Sequence, residues 1–201
     1  MDKTEYTLDY YNQQAEQFVQ STVDVEFSHL QNQFIEMLPA GGTILDLGCG
    51  SGRDSKAYKQ AGFKVIAVDG SEALCKIASE YIGQDVVCCK FQDLDIQEPL
   101  DGVWACATLL HLDKDDVIVT MQKLTECLVP GGIFYASFKY GEFSGERNGR
   151  FFTDMTEDTF KAVLSKVQGL TIVKQMITED ARPDKSEKWL NVFLKKMNPN
   201  R

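Results

Sequence analysis

The sequence predicts an α/β fold, a largely parallel sheet with helices on both faces, and three observations carry that prediction. Short apolar runs alternate with helix-compatible segments through residues 43–138, the order that builds a parallel sheet covered on both faces. The first run ends in a carboxylate and three glycines at alternate positions, the layout of a strand, a tight turn and a helix start. The last third changes to two runs of alternating apolar and polar residues, at 170–178 and 189–194, which read as an antiparallel hairpin added to the sheet edge.

Taken in order, residues 8–38 hold two helical patterns. The first contains Tyr10, Tyr11, Ala15, Phe18 and Val19. The second contains Phe27, Leu30, Phe34, Ile35, Met37 and Leu38, spaced as one helix face. Asp24 or Ser28 is placed to cap the second helix, and Pro39-Ala40-Gly41-Gly42 stops it. Ile44-Leu45-Asp46-Leu47 forms the first strand, followed by the glycine turn and a helix over 54–61. Residues 64–69 form a second strand ending at Asp69, and Ser71 opens the next helix, closed at Gly83. Residues 86–89 read as a third strand and 101–107 as a fourth, with Leu109-Leu110-His111-Leu112 just beyond. Asp113-Lys114-Asp115-Asp116 caps a helix running to about residue 128. Pro130-Gly131-Gly132 turns into a fifth strand at 133–138. The polar, glycine-rich stretch 139–153 reads as a long loop and 157–167 as a helix. Residues 179–188 read as a charged, exposed connection and 197–201 as a frayed tail.

The chain of 201 residues is expected to form a single domain, in three parts: an N-terminal helical cap (1–40), a ligand-binding core (41–138), and a loop, helix and terminal hairpin (139–201). A net charge of −9 opposes unaided binding to nucleic acid and favours a small-molecule partner. No apolar run is long enough for a membrane span, and the first residues are polar, so a cytoplasmic location is expected. The six cysteines form no CxxC pair and there are two histidines, His29 and His111. Neither a metal site nor a disulfide framework is expected, and the thiols read as reduced and mostly buried. Nothing in the sequence fixes the oligomeric state.

The glycines at 48, 50 and 52 lack the G-x-x-G spacing of a dinucleotide fingerprint. Asp46, just before them, opposes a diphosphate and favours an ammonium group, so the turn suits a cofactor with a cationic amino-acid head. Asp69 at the second strand end is placed to accept from ribose hydroxyls. Asp93 after the third strand is placed to accept from an adenine amino group, with Leu94 covering the ring. Arg53 can bond a cofactor carboxylate or pair with Asp54 or another acid, and the cofactor is preferred. Tyr10, Tyr11 and Phe18 can close an aromatic lid over the cofactor or pack on the core. Lys139, Tyr140, Arg147 and Arg150, in an otherwise acidic chain, point to recognition of an anionic group. His111 is the histidine placed to act as a general base; a backbone-bonded strand-end histidine is the alternative.

The stretches ILDLGCGSGRD (44–54), VIAVDGS (65–71), FQDLD (91–95), DGVWACATLLHL (101–112) and LVPGGIFYASF (128–138) together resemble class I S-adenosylmethionine-dependent methyltransferases of the small-molecule kind. The GSGRD form and the FKYGE loop are more loosely similar to tellurite-resistance-related methyltransferases. The resemblance implies a Rossmann-like seven-stranded sheet of order 3-2-1-4-5-7-6 with strand 7 antiparallel. It implies S-adenosylmethionine as cofactor and methyl transfer to a small-molecule acceptor. Gly48, Cys49, Gly50 and Gly52 would then pass close to the methionine part, with Asp46 near its amino group. Asp69 would hold the ribose with Gly70 and Ser71 alongside, and Asp93 and Leu94 would flank the adenine. Ala105 and Cys106 would lie near the methionine end, with Leu110 and His111 toward the acceptor. No D/N-P-P-Y/F/W motif follows the fourth strand, where Ala105-Cys106-Ala107-Thr108 stands. Methylation of a modified tRNA base with a partner subunit, and a non-catalytic cofactor-binding accessory role, are the alternatives.

Overall fold

The computed structural model describes residues 3–198. Three helices precede the sheet: α1 (Lys3–Gln13), α2 (Ala15–Thr22) and α3 (Ser28–Ile35). The first helical pattern is therefore divided, with Gln14 between its two halves. The capping expectation fails for α3. Its N-cap is Phe27, and the Glu26 carboxylate accepts from the Ser28 N–H at 2.8 Å instead. Strand β1 (Thr43–Leu47) leads through the glycine turn to α4 (Arg53–Gln60), then β2 (Lys64–Asp69) and α5 (Glu72–Ile82). Ser71 caps α5 through its side chain and Gly83 ends it in the left-handed conformation. A short β3 (Val87–Cys88), β4 (Leu100–Ala105), α6 (Lys114–Cys127) and β5 (Leu128–Lys139) complete the parallel part. Asp113 caps α6 by accepting from the Asp116 N–H at 2.9 Å. β5 begins at Leu128, so Pro130-Gly131-Gly132 lies inside a strand, where the pairing with β4 shifts register between Leu100 and Gly102.

The stretch 139–153 is more ordered than a loop. β6 (Ser144–Arg147) and β7 (Arg150–Thr153) pair as an antiparallel hairpin across Asn148-Gly149. Both turn residues have positive φ, 53° and 74°, which Asn-Gly accommodates at low steric cost. α7 (Glu157–Leu164) follows, capped by Thr156. The final hairpin of β8 (Leu170–Glu179) and β9 (Lys188–Lys196) inserts β9 antiparallel against β5. The seven-stranded order is β3-β2-β1-β4-β5-β9-β8. That is the expected topology, the β6–β7 hairpin being interposed in the strand count.

Alternate side chains divide the core between the two faces of the sheet. Leu45, Leu47, Val103, Phe134 and Ala136 pack with Val117, Met121 and Leu124 of α6 and Phe160 of α7. Ile44, Val65, Trp104, Ile133 and Tyr135 pack with Phe34 of α3, Tyr58 of α4 and Ala78 of α5. Trp104 and Tyr135 stack at 3.9 Å between ring centroids. All six cysteines are free thiols. Cys49 and Cys75 are buried, Cys88 is exposed and the other three are half-buried, so burial is less general than expected. Among the described residues no helix is long and apolar enough to cross a membrane, and no cluster suits a metal ion. Of the tail expected at 197–201, the last three residues lie outside the described residues.

Candidate active site

The carboxyl ends of β1, β2, β4 and β5 open into a cavity of about 850 Å³, the edge where such sheets bind ligands. Its floor is the glycine turn. Gly48 and Cys49 N–H groups bond the Val68 carbonyl at 2.8 and 2.9 Å, tying the turn to β2. A Cβ on Gly48 would lie 1.9 Å from Thr108 Oγ1, so the residue must be glycine on packing as well as on its φ of +71°. Gly50 carries the Phe18 ring, whose nearest atom would be 3.0 Å from an added Cβ. α1 and α2 thus lie across the turn. Tyr10, Tyr11 and Phe18 all line the cavity, with Tyr11 edge-on to Phe18 at 5.2 Å.

Asp69 is buried and lines the cavity. Its Oδ2 accepts from the Gly50 N–H and its Oδ1 from the Ser71 N–H, both at 2.9 Å. Burial raises its pKa, opposed by these backbone N–H groups. Gly70 lines the cavity under Leu8, whereas Ser71 is turned to the α5 cap and to Asn12. Asp46 sits below the cavity lining, accepting from Ser55 Oγ at 2.6 Å. Burial, then the neighbouring Asp54 carboxylate, pushes its pKa up to about 8. Gly52 and Ala105 also lie behind the lining, while Cys106 reaches it. Burial lifts the Cys106 thiol to about 12. Asp93 is exposed and Leu94 is in the core. Neither lines the cavity, and Lys90 and Phe91 stand at that end instead. Arg53 lines the cavity but is engaged with Asp54, Nε to Oδ1 at 2.7 Å and Nη2 to Oδ2 at 3.0 Å, over the Phe27 ring. This is the pairing alternative rather than the preferred one. Asp54 also accepts from Gln31 and Trp104, which fixes it.

The other half of the cavity is built by β5, the β6–β7 hairpin and the 180–187 connection. Lys139 pairs with Glu187, and Arg147 grips Asp154 through two bonds of 2.9 and 3.0 Å. Tyr140 lines the mouth with its hydroxyl on Glu157 at 2.9 Å. Among the lining cations, Arg53, Lys90, Lys139, Arg147, Arg182, Lys185 and Lys188 each have a carboxylate oxygen within 3.9 Å. Arg150 is the exception among the described residues. Its Nη1 donates to Tyr11 Oη at 3.3 Å, its buried Nε has no partner, and it lies over the Tyr10 ring at 4.4 Å.

His111 is held at both nitrogens. Nδ1 lies 2.7 Å from the Phe151 carbonyl, which only accepts, so Nδ1 carries the proton. Nε2 then accepts from Tyr11 Oη at 2.9 Å. Burial lowers the His111 pKa to about 4 against the pull of the Phe151 carbonyl, with Arg150 and Lys139 adding to the fall.

Several lining residues escaped the sequence reading. The connection 180–187 is largely exposed, as expected, and its inner side is also a cavity wall. Asp180 holds Arg182 Nη2 at 2.7 Å and Trp189 Nε1 at 3.0 Å. Burial would raise its pKa, and these bonds hold it down at about 2. Ser137 accepts from the Ala107 N–H at 2.8 Å, fixing Ala107 at a φ of +52° at the end of β4. The Asn148-Gly149 dipeptide was the available signal for the hairpin that delivers Arg150 and the Phe151 carbonyl.

This arrangement fits an adenosine cofactor with an amino-acid tail: a glycine turn open to close backbone approach, a buried Asp69, and an α4 start without a side-chain cap. Residues 44–132 match the profile of a methyltransferase domain family. Curated relatives include a ubiquinone biosynthesis O-methyltransferase of Nitrobacter winogradskyi, 32% identical over 49% of this chain and 39% of its own length. A 2-methyl-6-phytyl-1,4-hydroquinone methyltransferase of Synechocystis is 32% identical over 59% of this chain and 39% of its own length. The chain therefore spans well under half of either relative. Among solved structures, the 1,6-didemethyltoxoflavin-N1-methyltransferase of Burkholderia thailandensis, bound to S-adenosylhomocysteine, superposes with a TM-score of 0.77 over 97% of this chain and 89% of that one, at 19% identity. The sheet order, the glycine turn and the family match over residues 44–132 agree with one another, and together they support a class I S-adenosylmethionine-dependent methyltransferase domain.

Proposed function

We propose that the chain transfers a methyl group from S-adenosylmethionine to a small-molecule acceptor that bears an anionic group. The carrying observation is a single cavity that joins the glycine turn and Asp69 to Arg150, the lining cation without a carboxylate partner. The bound cofactor supplies an already activated methyl on a sulfonium. The protein's main task is to align the acceptor with it and exclude water. In this reading Asp69 receives the ribose hydroxyls and Phe91 edges the adenine. Arg150 meets the acceptor's anion, with Lys139 and Arg147 already neutralised. Residues 1–40 act as a cap, 41–138 as the cofactor core and 139–201 as the acceptor side of one domain. The net charge of −9 favours a small molecule over RNA.

Calorimetry with S-adenosylhomocysteine tests the cofactor half. Micromolar binding is expected, lost by about tenfold or more in Asp69→Ala as the hydroxyl acceptors disappear. No heat with folded protein would overturn the reading. Arg150→Met tests the acceptor half. S-adenosylhomocysteine affinity is expected to hold while the acceptor KM rises about 10- to 100-fold.

A further inference from the structure

We infer that Tyr11 is the residue that takes the proton from the acceptor, with His111 behind it as the final proton site, and that the acceptor atom therefore enters as an N–H or O–H. This rests on the methyl-transfer reading above. Its basis is the engagement of His111. Nδ1 is spent on the Phe151 carbonyl at 2.7 Å and the lone pair of Nε2 on the Tyr11 hydroxyl at 2.9 Å. Neither nitrogen is free to meet an acceptor directly, so a proton reaches the imidazole through Tyr11 Oη. That oxygen donates to Nε2 and accepts from Arg150 Nη1, which leaves one lone pair. The ring is also placed. The Phe151 N–H donates to Thr7 Oγ1 at 3.0 Å, tying α1 to β7 beside the carbonyl that orients His111. The edge-on contact with Phe18 ties the same ring to the glycine turn.

The step balances. The acceptor's lone pair forms the new bond to the methyl carbon, and the electrons of the broken C–S bond stay on sulfur. The acceptor proton passes to Tyr11 Oη as the Tyr11 proton passes to His111 Nε2. The positive charge that leaves sulfur ends on the imidazolium, steadied by the Phe151 carbonyl. Arg150 and Lys139 are the cations that face this imidazolium. An anionic acceptor beside Arg150 offsets their repulsion.

Two measurements test the relay. With histidines isotope-labelled at the ring nitrogens, NMR of the full chain has two residues to resolve, and His111→Gln assigns them. The expected spectrum has His111 neutral and protonated at Nδ1, with Tyr11→Phe moving the Nε2 resonance. An Nε2-protonated ring, or an Nε2 signal unmoved by Tyr11→Phe, overturns the proposal. In the second, radiolabelled methyl donor is incubated with a low-mass cell extract as acceptor source. Tyr11→Phe and His111→Gln should each lower kcat by about 10²- to 10⁴-fold while S-adenosylhomocysteine affinity and acceptor KM stay near those of the unmodified protein. Unchanged kcat in Tyr11→Phe overturns the relay. No labelled product from the unmodified protein overturns instead the methyl-transfer reading beneath it.

Discussion

Gly48 and Asp46 show how much a single residue in the turn is asked to do. Gly48→Ala places a methyl 1.9 Å from Thr108 Oγ1 on a backbone at φ +71°, and a cost of about 2–4 kcal/mol is expected from strain and overpacking together. Denaturant melts would measure it, alongside loss of S-adenosylhomocysteine binding. Asp46 makes a pH prediction. Its folded pKa of about 8 exceeds the ordinary carboxylate value, so between the two the folded state holds a proton the unfolded state has lost, and stability falls as pH rises. His111 acts oppositely. Its folded pKa of about 4 is depressed below 6.5, so stability gained from it rises with pH across that interval and is complete above it. The two slopes oppose each other below pH 6.5. Between 6.5 and 8 the carboxylate slope stands alone, at up to about 1.4 kcal/mol per pH unit. Asp46→Asn should flatten that upper limb in pH-dependent melts, and an unchanged slope would refute the assignment.

At the scale of elements, α1 is a strap across the cavity. Lys3 pairs with Asp113 at the start of α6, Asn12 Oδ1 accepts from Ser71 Oγ at 2.7 Å at the start of α5, and Thr7 accepts from β7. Its one fully buried residue is Thr7, while Leu8, Tyr10 and Tyr11 are half-buried, so these polar ties share in holding it closed. Thr7→Ala with Asn12→Ala is expected to speed amide exchange in α1 and at Phe151 by about tenfold or more while leaving β1 and β4 protected, because each lost bond is worth about 1 kcal/mol. The β6–β7 hairpin depends on its turn in the same local way. Gly149→Ala, at φ +74° and 3.3 Å from the Tyr10 ring, should loosen β7 and with it Arg150. Exchange at Phe151 would again report it.

At the scale of the whole molecule, the sheet fixes where the two halves of the cavity meet. β4 and β5 run parallel, and β4 ends at Ala105 opposite Ala136 while β5 continues to Lys139, which brings Cys106 and Ala107 beside Ser137. β9 pairs antiparallel with β5, which brings Trp189 and Asn191 to the same edge. Because the cavity is closed by α1, by the hairpin and by the 180–187 wall, ligand binding should stabilise the molecule as a unit. S-adenosylhomocysteine at 100 times its Kd is expected to add about 2.7 kcal/mol, a rise of about 5–11 °C in Tm for a chain of this size. A melt unmoved by the ligand would contradict the proposed site.

By itself the sequence determined the seven strands of the main sheet, though not the β6–β7 hairpin, together with the glycine turn and the carboxylate that ends β2. Each of these is written in local periodicity and backbone chemistry within a short window, and burial on both faces leaves strand runs little freedom. The type of domain was legible because five such windows agree. The tertiary structure alone decided the charge pairing and the hydrogen bonds of the site. Arg53 turned to Asp54 because Trp104 and Gln31 already held that carboxylate in place. Lys139 and Arg147 were neutralised by Glu187 of the cavity wall and by Asp154 just after β7, which left Arg150, among the described residues, as the lining cation without a carboxylate partner. Tyr11 and His111 stand 100 residues apart, and Tyr11 and Arg150 stand 139 apart. No local pattern records such meetings, because they follow from how helices and hairpins pack over a sheet rather than from the propensity of any segment.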